Sequence, residues 1–230
     1  MSTLHPLYLD NHLIVVCKPA GMLIQKDISG DLSLYDEVRN YLKKKFNKPG
    51  NVYLGIVHRL DRPVSGVVVF ARTSKAASRL SDQFRRKTVR KTYWALVNGK
   101  TPEKERLTNW ILRNGVNSRI STVTEGKKAD LSYHCIHYKN DISLLEIALE
   151  TGRHHQIRVQ LSHKGFPIIG DFRYGSRTKF PRKALALHAQ SITISHPVGA
   201  ERMTFSAPLE TFWPDDIKRI QTESIETLLL

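Results

Sequence analysis

The chain has 230 residues, 40% of them hydrophobic, which suffices for the core of one large domain or two small ones and argues against wholesale disorder. No apolar run approaches the roughly 18 residues that span a bilayer, and His5, Pro6, Asp10 and Asn11 interrupt the apolar start, so neither a membrane span nor a secretory signal is expected and the cytoplasm is the expected location. Lys and Arg total 36 against 21 acidic residues, a net charge of +15 that favours a polyanionic partner.

The charge comes in clusters: Lys43 to Lys45, Arg85 to Lys87, Arg90-Lys91, Lys127-Lys128 and Arg182-Lys183. No long basic amphipathic helix with a strong apolar face accompanies them, so nucleic acid is preferred to an anionic membrane surface. The two cysteines, Cys17 and Cys135, form no CxxC pair. A disulfide framework or a cysteine-rich zinc site is not expected, and both thiols read as small core residues.

Along the chain, Leu13 to Cys17 reads as a buried strand closed by the Lys18-Pro19-Ala20-Gly21 turn. Ser33, followed by Asp36 and Glu37, caps a helix whose face holds Leu34, Val38, Tyr41 and Leu42. Lys43 to Lys48 and the Pro49-Gly50 turn end it. Val67 to Ala71 is a second buried strand, and Ser74 caps a second helix with Ala77, Leu80 and Phe84 on one face. Strands follow at 91–97, 131–138, 142–150, 192–195 and 202–206. A short helix covers His155 to Lys164 and another begins near Pro214. The stretch Gly99 to Lys128 is polar and weakly patterned, and reads as a surface excursion between strands. The closing residues, Gln221 to Leu230, can fray or dock through their last leucines. Helices and strands do not alternate regularly, so the expected fold is a single α+β domain over residues 1–230 with a long mixed or antiparallel sheet.

The most informative stretch is His58-Arg59-Leu60-Asp61-Arg62-Pro63-Val64-Ser65-Gly66, a polar loop opening into a buried strand. Asp61 lies between Arg59 and Arg62, and nearby cations hold a carboxylate ionised, as a nucleophile or general base requires. On local pattern alone, a turn with a satisfied Asp–Arg pair is the better reading. Three further segments weigh against it. Lys91-Thr92-Tyr93-Trp94-Ala95 places an aromatic on a strand directly after a basic cluster. Thr151-Gly152-Arg153-His154-His155-Gln156-Ile157-Arg158 places several donors at a strand-to-helix junction. Gly170-Asp171-Phe172-Arg173-Tyr174-Gly175 is a Gly-bounded loop with further charge.

Together these segments resemble the RluA family of pseudouridine synthases, which carries in the same order an HRLDxxTSG segment, a K-x-Y-x-A strand, a TGRxHQIR segment and a GDxxYG segment. The opening from Tyr8 to Gly21, Leu187-His188-Ala189 and Phe205 to Pro208 are similar to other family segments, so the resemblance runs from about Tyr8 to Pro208. It departs from the family at Val64, where Thr is usual, and at His154 and Gln160. No S4-type RNA-binding domain is expected, because the chain opens almost directly on the catalytic segments.

The resemblance implies an isomerase that converts chosen uridines in structured RNA, ribosomal or transfer, to pseudouridine without a cofactor or metal. Asp61 is then the catalytic carboxylate, Tyr93 stacks on the target uracil, and Arg158 pairs with Asp61. Arg59, Arg62, Lys91, Arg153 and His155 are the expected RNA-binding residues, and His58 has a structural role bonded to nearby backbone. Adjacent histidines, here His154 and His155, are expected to point apart and not to share a metal. A monomer with no obligatory protein partner is expected. Two other readings remain at this point: a catalytically silent RNA-binding or chaperone protein on the same fold, and a carboxylate-based phosphodiesterase or glycosidase. The last would need a second carboxylate or a metal near Asp61, and the loop offers neither.

Overall fold

The computed structural model describes residues 4–28 and 30–229, with side chains to residue 223. The chain forms two compact units, Met1–Arg90 with Ser191–Ala207, and Lys91–Gln190 with Pro208–Leu230. Strands dominate both, which places the protein in the α+β class.

In the first unit, β2 (Leu13–Lys18) pairs antiparallel with β4 (Ser65–Ala71), from Leu13 opposite Ala71 to Lys18 opposite Gly66. Every β4 residue is buried, so its run of Val and Phe needs no polar alternation. The short strands β1 (Tyr8–Leu9) and β3 (Gly55–Ile56) extend β2 and β4. Helix α1 (Leu34–Lys45) has a complete capping box between Ser33 and Asp36, and buries Leu34, Val38 and Leu42. Three lysines sit in its last turn, where the helix dipole favours cations. Helix α2 (Ser74–Arg85) is capped by Thr73, whose Oγ1 accepts the Ala76 N–H at 3.1 Å, so Ser74 is the first helical residue and not the cap.

The second unit is an antiparallel sheet whose strands are not in chain order. Strands β5 (Arg90–Asn98), β9 (Ile142–Leu149), β8 (Lys127–Lys139), β6 (Lys104–Asn114) and β7 (Asn117–Ser121) lie side by side in that order. Strand β10 (Leu187–Ser195) gives residues to both units, and its second half pairs with β11 (Arg202–Ser206). Helix α3 (Gln156–His163) packs on β6 and β7, where Val159 meets Ile111 and Ala129. The last helix, α4, spans Asp215–Leu229. No described helix is long and apolar enough to cross a membrane.

Two expectations are corrected here. Gly99 to Lys128 is no loose excursion, since β6 and β7 form a hairpin in which Asn114 faces Asn117. Leu107 and Ile111 point inward, Arg106 and Thr108 outward, and Gly115 supplies the positive φ of 57° that a tight two-residue turn uses. Cys17 and Cys135 are only half-buried, not core residues. The docking of the last three leucines lies outside the described side chains.

Gly170 has φ of +89°, and a Cβ there would lie 2.6 Å from the Ala184 carbonyl oxygen and 2.8 Å from Phe180 Cβ. Gly170→Ala combines left-handed strain with a backbone clash, an expected loss of about 2–4 kcal/mol in unfolding free energy measured by urea titration. Stability within about 0.5 kcal/mol of the parent would contradict this packing.

Candidate active site

In the first unit, the loop from Val57 to Val64 joins β3 to β4 and is fastened along its length. His58 Nε2 accepts the Val69 N–H at 2.9 Å, and its ring stacks on Phe84 of α2 with centroids 5.2 Å apart. This is the structural role expected for His58. Leu60 and Val64 are buried, and the Val64 N–H closes a turn onto the Asp61 carbonyl at 3.1 Å. Val64 therefore fills the place of the usual Thr with the loop still closed.

Beyond Asp61, the Arg62 carbonyl accepts the Gly21 N–H at 2.8 Å and the Lys18 ammonium at 3.0 Å. Lys18 is fully buried and also donates to the carbonyls of Pro19 and Met22. Three ammonium donors thus meet three backbone acceptors, which lets a buried cation stay charged. The Lys-Pro-Ala-Gly turn is in this way locked to the loop that carries Asp61. Asp61 itself is half-buried and Arg59 is exposed. The Arg62 side chain donates to the Gly21 carbonyl and pairs with Asp31 at 2.6 Å, an exposed ion pair that adds little stability.

In the second unit, three of the family-like segments meet. Gln156 is the anchor of the first. Its Oε1 receives the Thr151 hydroxyl at 2.7 Å and the Arg153 N–H at 3.0 Å, and its Nε2 donates to the Asp130 carbonyl. These bonds fold residues 151–155 into a turn ending at His155, whose φ of 54° is left-handed. The chain then enters α3 with Arg158 in its first turn.

Arg158 is buried, only 5% exposed. Its Nε and Nη2 donate to the two oxygens of Asp171 at 2.6 and 2.8 Å, a bidentate pair in which both partners are buried. The Tyr174 ring lies under the guanidinium, 4.9 Å from its centroid. The Gly-Asp-x-x-Tyr-Gly spacing has a geometric cause. Tyr174 and Ser176 donate their N–H groups back to the Asp171 carbonyl, and Gly170 and Gly175 take positive φ at the two ends. That tight turn aims Asp171 and Tyr174 at one arginine. Asp171 and Tyr174 had no role assigned from sequence, because Arg158 lies 13 and 16 residues away from them, and neither did Lys18 or Gln156.

Tyr93 is 9% exposed on β5, and Lys91 and Ala95 share its face by the two-residue period. Lys91 is half-buried, with its ammonium 3.4 Å from the Thr151 carbonyl, and burial pulls its pKa down to about 8. Arg153 is half-buried and donates to the Lys128 carbonyl at 2.9 Å. His155 is 8% exposed, with Nδ1 at 2.8 Å from the Tyr174 hydroxyl. The rings of His154 and His155 do not point apart but stack at 3.8 Å, because the left-handed backbone at His155 turns its side chain back over its neighbour. Among the described residues, no group of three or more His, Cys, Asp or Glu could hold a metal ion.

The fold is shared with solved structures. The human RNA pseudouridylate synthase domain containing 4 protein superposes with a TM-score of 0.75 at 22% identity, covering 96% of this chain and 92% of that one. Residues 12–163 match the family model described as RNA pseudouridylate synthase, and the chain belongs to that family. Ribosomal large subunit pseudouridine synthase C of Vibrio cholerae is 33% identical over 211 residues, which cover 89% of this chain and 65% of the relative. Ribosomal large subunit pseudouridine synthase D of Pseudomonas aeruginosa is 33% identical over 218 residues, covering 88% of this chain and 67% of the relative. The chain thus spans about two thirds of the length of these relatives.

The buried Lys91 gives a test with a definite sign. Its folded pKa of about 8 lies below the unfolded value of about 10.4, so the unfolded state binds more protons between these values and stability rises with pH across that window. Lys91→Met removes the burial cost of the charge. The variant is expected to be more stable than the parent at pH 7, by on the order of 3 kcal/mol, with the gap closing towards pH 10 in urea titrations. A gap that is independent of pH would show that the ammonium is not desolvated.

Proposed function

We propose that the chain is an RNA pseudouridine synthase in which Asp61 is the catalytic carboxylate and both units work as one catalytic domain. In the reaction, the N1–C1′ bond of a uridine breaks, the uracil turns, and a C5–C1′ bond forms. C5 gives up its proton and N1 gains one, so the RNA neither gains nor loses atoms. Nothing is oxidised, and the chemistry requires no cofactor. A carboxylate suits the task because it attacks carbon reversibly or stabilises positive charge developing at C1′.

The observation that carries this reading is the buried Arg158–Asp171 pair. Burying a guanidinium and a carboxylate is costly, and a fold retains such a pair where orientation matters. Asp171 takes Nε and Nη2, one side of the planar fork. In the proposed mechanism Arg158 serves the Asp61 carboxylate with its remaining donors, keeping it ionised and aimed. Tyr93 receives the face of a uracil that has left its stack. Arg59, Arg62, Lys91, Arg153 and His155 contact the RNA. An RNA phosphate near Lys91 offsets the burial cost of its charge.

For substrate we favour ribosomal RNA over transfer RNA, since the Vibrio cholerae and Pseudomonas aeruginosa relatives are named for the ribosomal large subunit. The net charge of +15 supports a polyanionic substrate. A cytoplasmic monomer acting without a protein partner completes the proposal.

The test is tritium release from [5-³H]uridine-labelled total RNA of a deletion strain. The parent protein is expected to release tritium, and Asp61→Asn to lose the activity by on the order of a thousandfold or more while RNA binding persists. Turnover by Asp61→Asn at the parent's rate would rule out the carboxylate mechanism. RNA binding without tritium release by the parent would favour a catalytically silent RNA-binding protein.

A further inference from the structure

We infer that Tyr174 is a positioning residue that ties the β6–β7 hairpin to Arg158, so that the seating of the hairpin sets the angle of the guanidinium. The inference rests on the proposed role of Arg158 in the site. Tyr174 has three partners at once. Its ring lies against the face of the Arg158 guanidinium, while Asp171 holds the edge. Its hydroxyl oxygen accepts the N–H of Ser118, in β7, at 2.8 Å. The same hydroxyl stands 2.8 Å from His155 Nδ1.

The hydrogens can be assigned. Burial raises the Tyr174 pKa above its ordinary value, so the phenol keeps its proton. With one lone pair taken by the Ser118 N–H, the arrangement that uses every proton sends the phenolic hydrogen to His155 Nδ1. A parallel link runs beside it. The Ser118 hydroxyl donates to the His154 carbonyl at 2.8 Å, so His154 Nδ1, 2.9 Å from the same oxygen, must be the donor to Ser118. At the hairpin tip, Arg173 Nη1 donates to the Val116 carbonyl at 3.0 Å. The near end of β7 is thus fastened to the two segments that build the Arg158 site.

The tip itself projects Arg113, Asn114, Val116 and Asn117, all exposed. A cation and two amides on a two-stranded ribbon suit contact with a nucleic-acid backbone. A load on that tip reaches Tyr174 first and Arg158 next. The hydroxyl is the decisive group. Phenylalanine fills the same space against Arg158, but it leaves the Ser118 N–H and His155 Nδ1 without their partner and uncouples the hairpin.

The experiment is single-turnover tritium release by the full chain on [5-³H]uridine-labelled total RNA from a deletion strain, at saturating protein. Tyr174→Phe is expected to lower the rate constant about tenfold to a hundredfold, with RNA affinity changed less than about twofold. A rate within about twofold of the parent, or a loss confined to affinity, overturns the inference. Arg158→Lys in the same assay separates the two claims. If it keeps the parent's rate, the proposed role of Arg158 fails; if it loses the rate and Tyr174→Phe does not, only the present inference fails. Should Tyr174→Phe not fold, 3,5-difluorotyrosine at position 174 retains the shape but ionises at lower pH. The rate is then expected to fall at a lower pH than in the parent, and an unchanged pH profile overturns the inference.

Discussion

The buried pair of Arg158 and Asp171 is the interaction on which the second unit is organised. Neither charge can be left alone there, since removing one partner of such a pair typically costs about 3–5 kcal/mol. The backbone around it is correspondingly exact. Gln156 fixes the turn ahead of α3, His155 accepts a left-handed conformation, and Gly170 and Gly175 permit the tight loop that returns Asp171 and Tyr174 to the arginine. An arginine held at its edge and its face has little rotational freedom left. That is the preorganisation a charged group needs if it is to act on a reacting carboxylate without first being reoriented.

The first unit treats Asp61 in the same spirit by other means. Its loop is held by His58 before the carboxylate and by the buried Lys18 ammonium after it. Both anchors reach backbone groups, so they fix the path of the chain on either side of Asp61. Lys18 and Arg158 are both buried cations, the first met by three backbone carbonyls and the second by the Asp171 carboxylate. Lys91 is the contrasting case: its burial is poorly compensated, and its pKa drops to about 8.

Much of this was legible in the sequence. The strands at β2, β4, β5, β9 and β11, the Ser33 cap and the position of α3 follow from apolar runs and local side-chain chemistry, which act within a few residues. The β6–β7 hairpin was missed because Asn109 stands between the inward Leu107 and Ile111 and blurs the alternation, although the Asn114-Gly115 pair is a hairpin signal. The cap at Thr73 in place of Ser74 is an error of one residue between two equally able hydroxyls. The site motifs were visible as text, but their mechanics were not. Asp171 lies 13 residues from Arg158, and Lys18 lies 44 from Arg62, and no periodicity reports such contacts. The stacking of His154 on His155 depends on one left-handed residue that nothing in its side chain announces.

The central proposal is that the carboxylate of residue 61, steadied by the guanidinium of residue 158, meets an unstacked uridine. A crystal structure of the full chain with RNA bearing 5-fluorouridine at the modified site tests it most directly, because fluorine at C5 cannot leave as a proton and the reaction stalls. The expected density shows the flipped nucleotide on the Tyr93 ring, with an Asp61 oxygen against its sugar or base and Arg158 donating to that carboxylate. A fluorinated nucleotide bound elsewhere, with Asp61 turned away from it and from Arg158, would contradict the account.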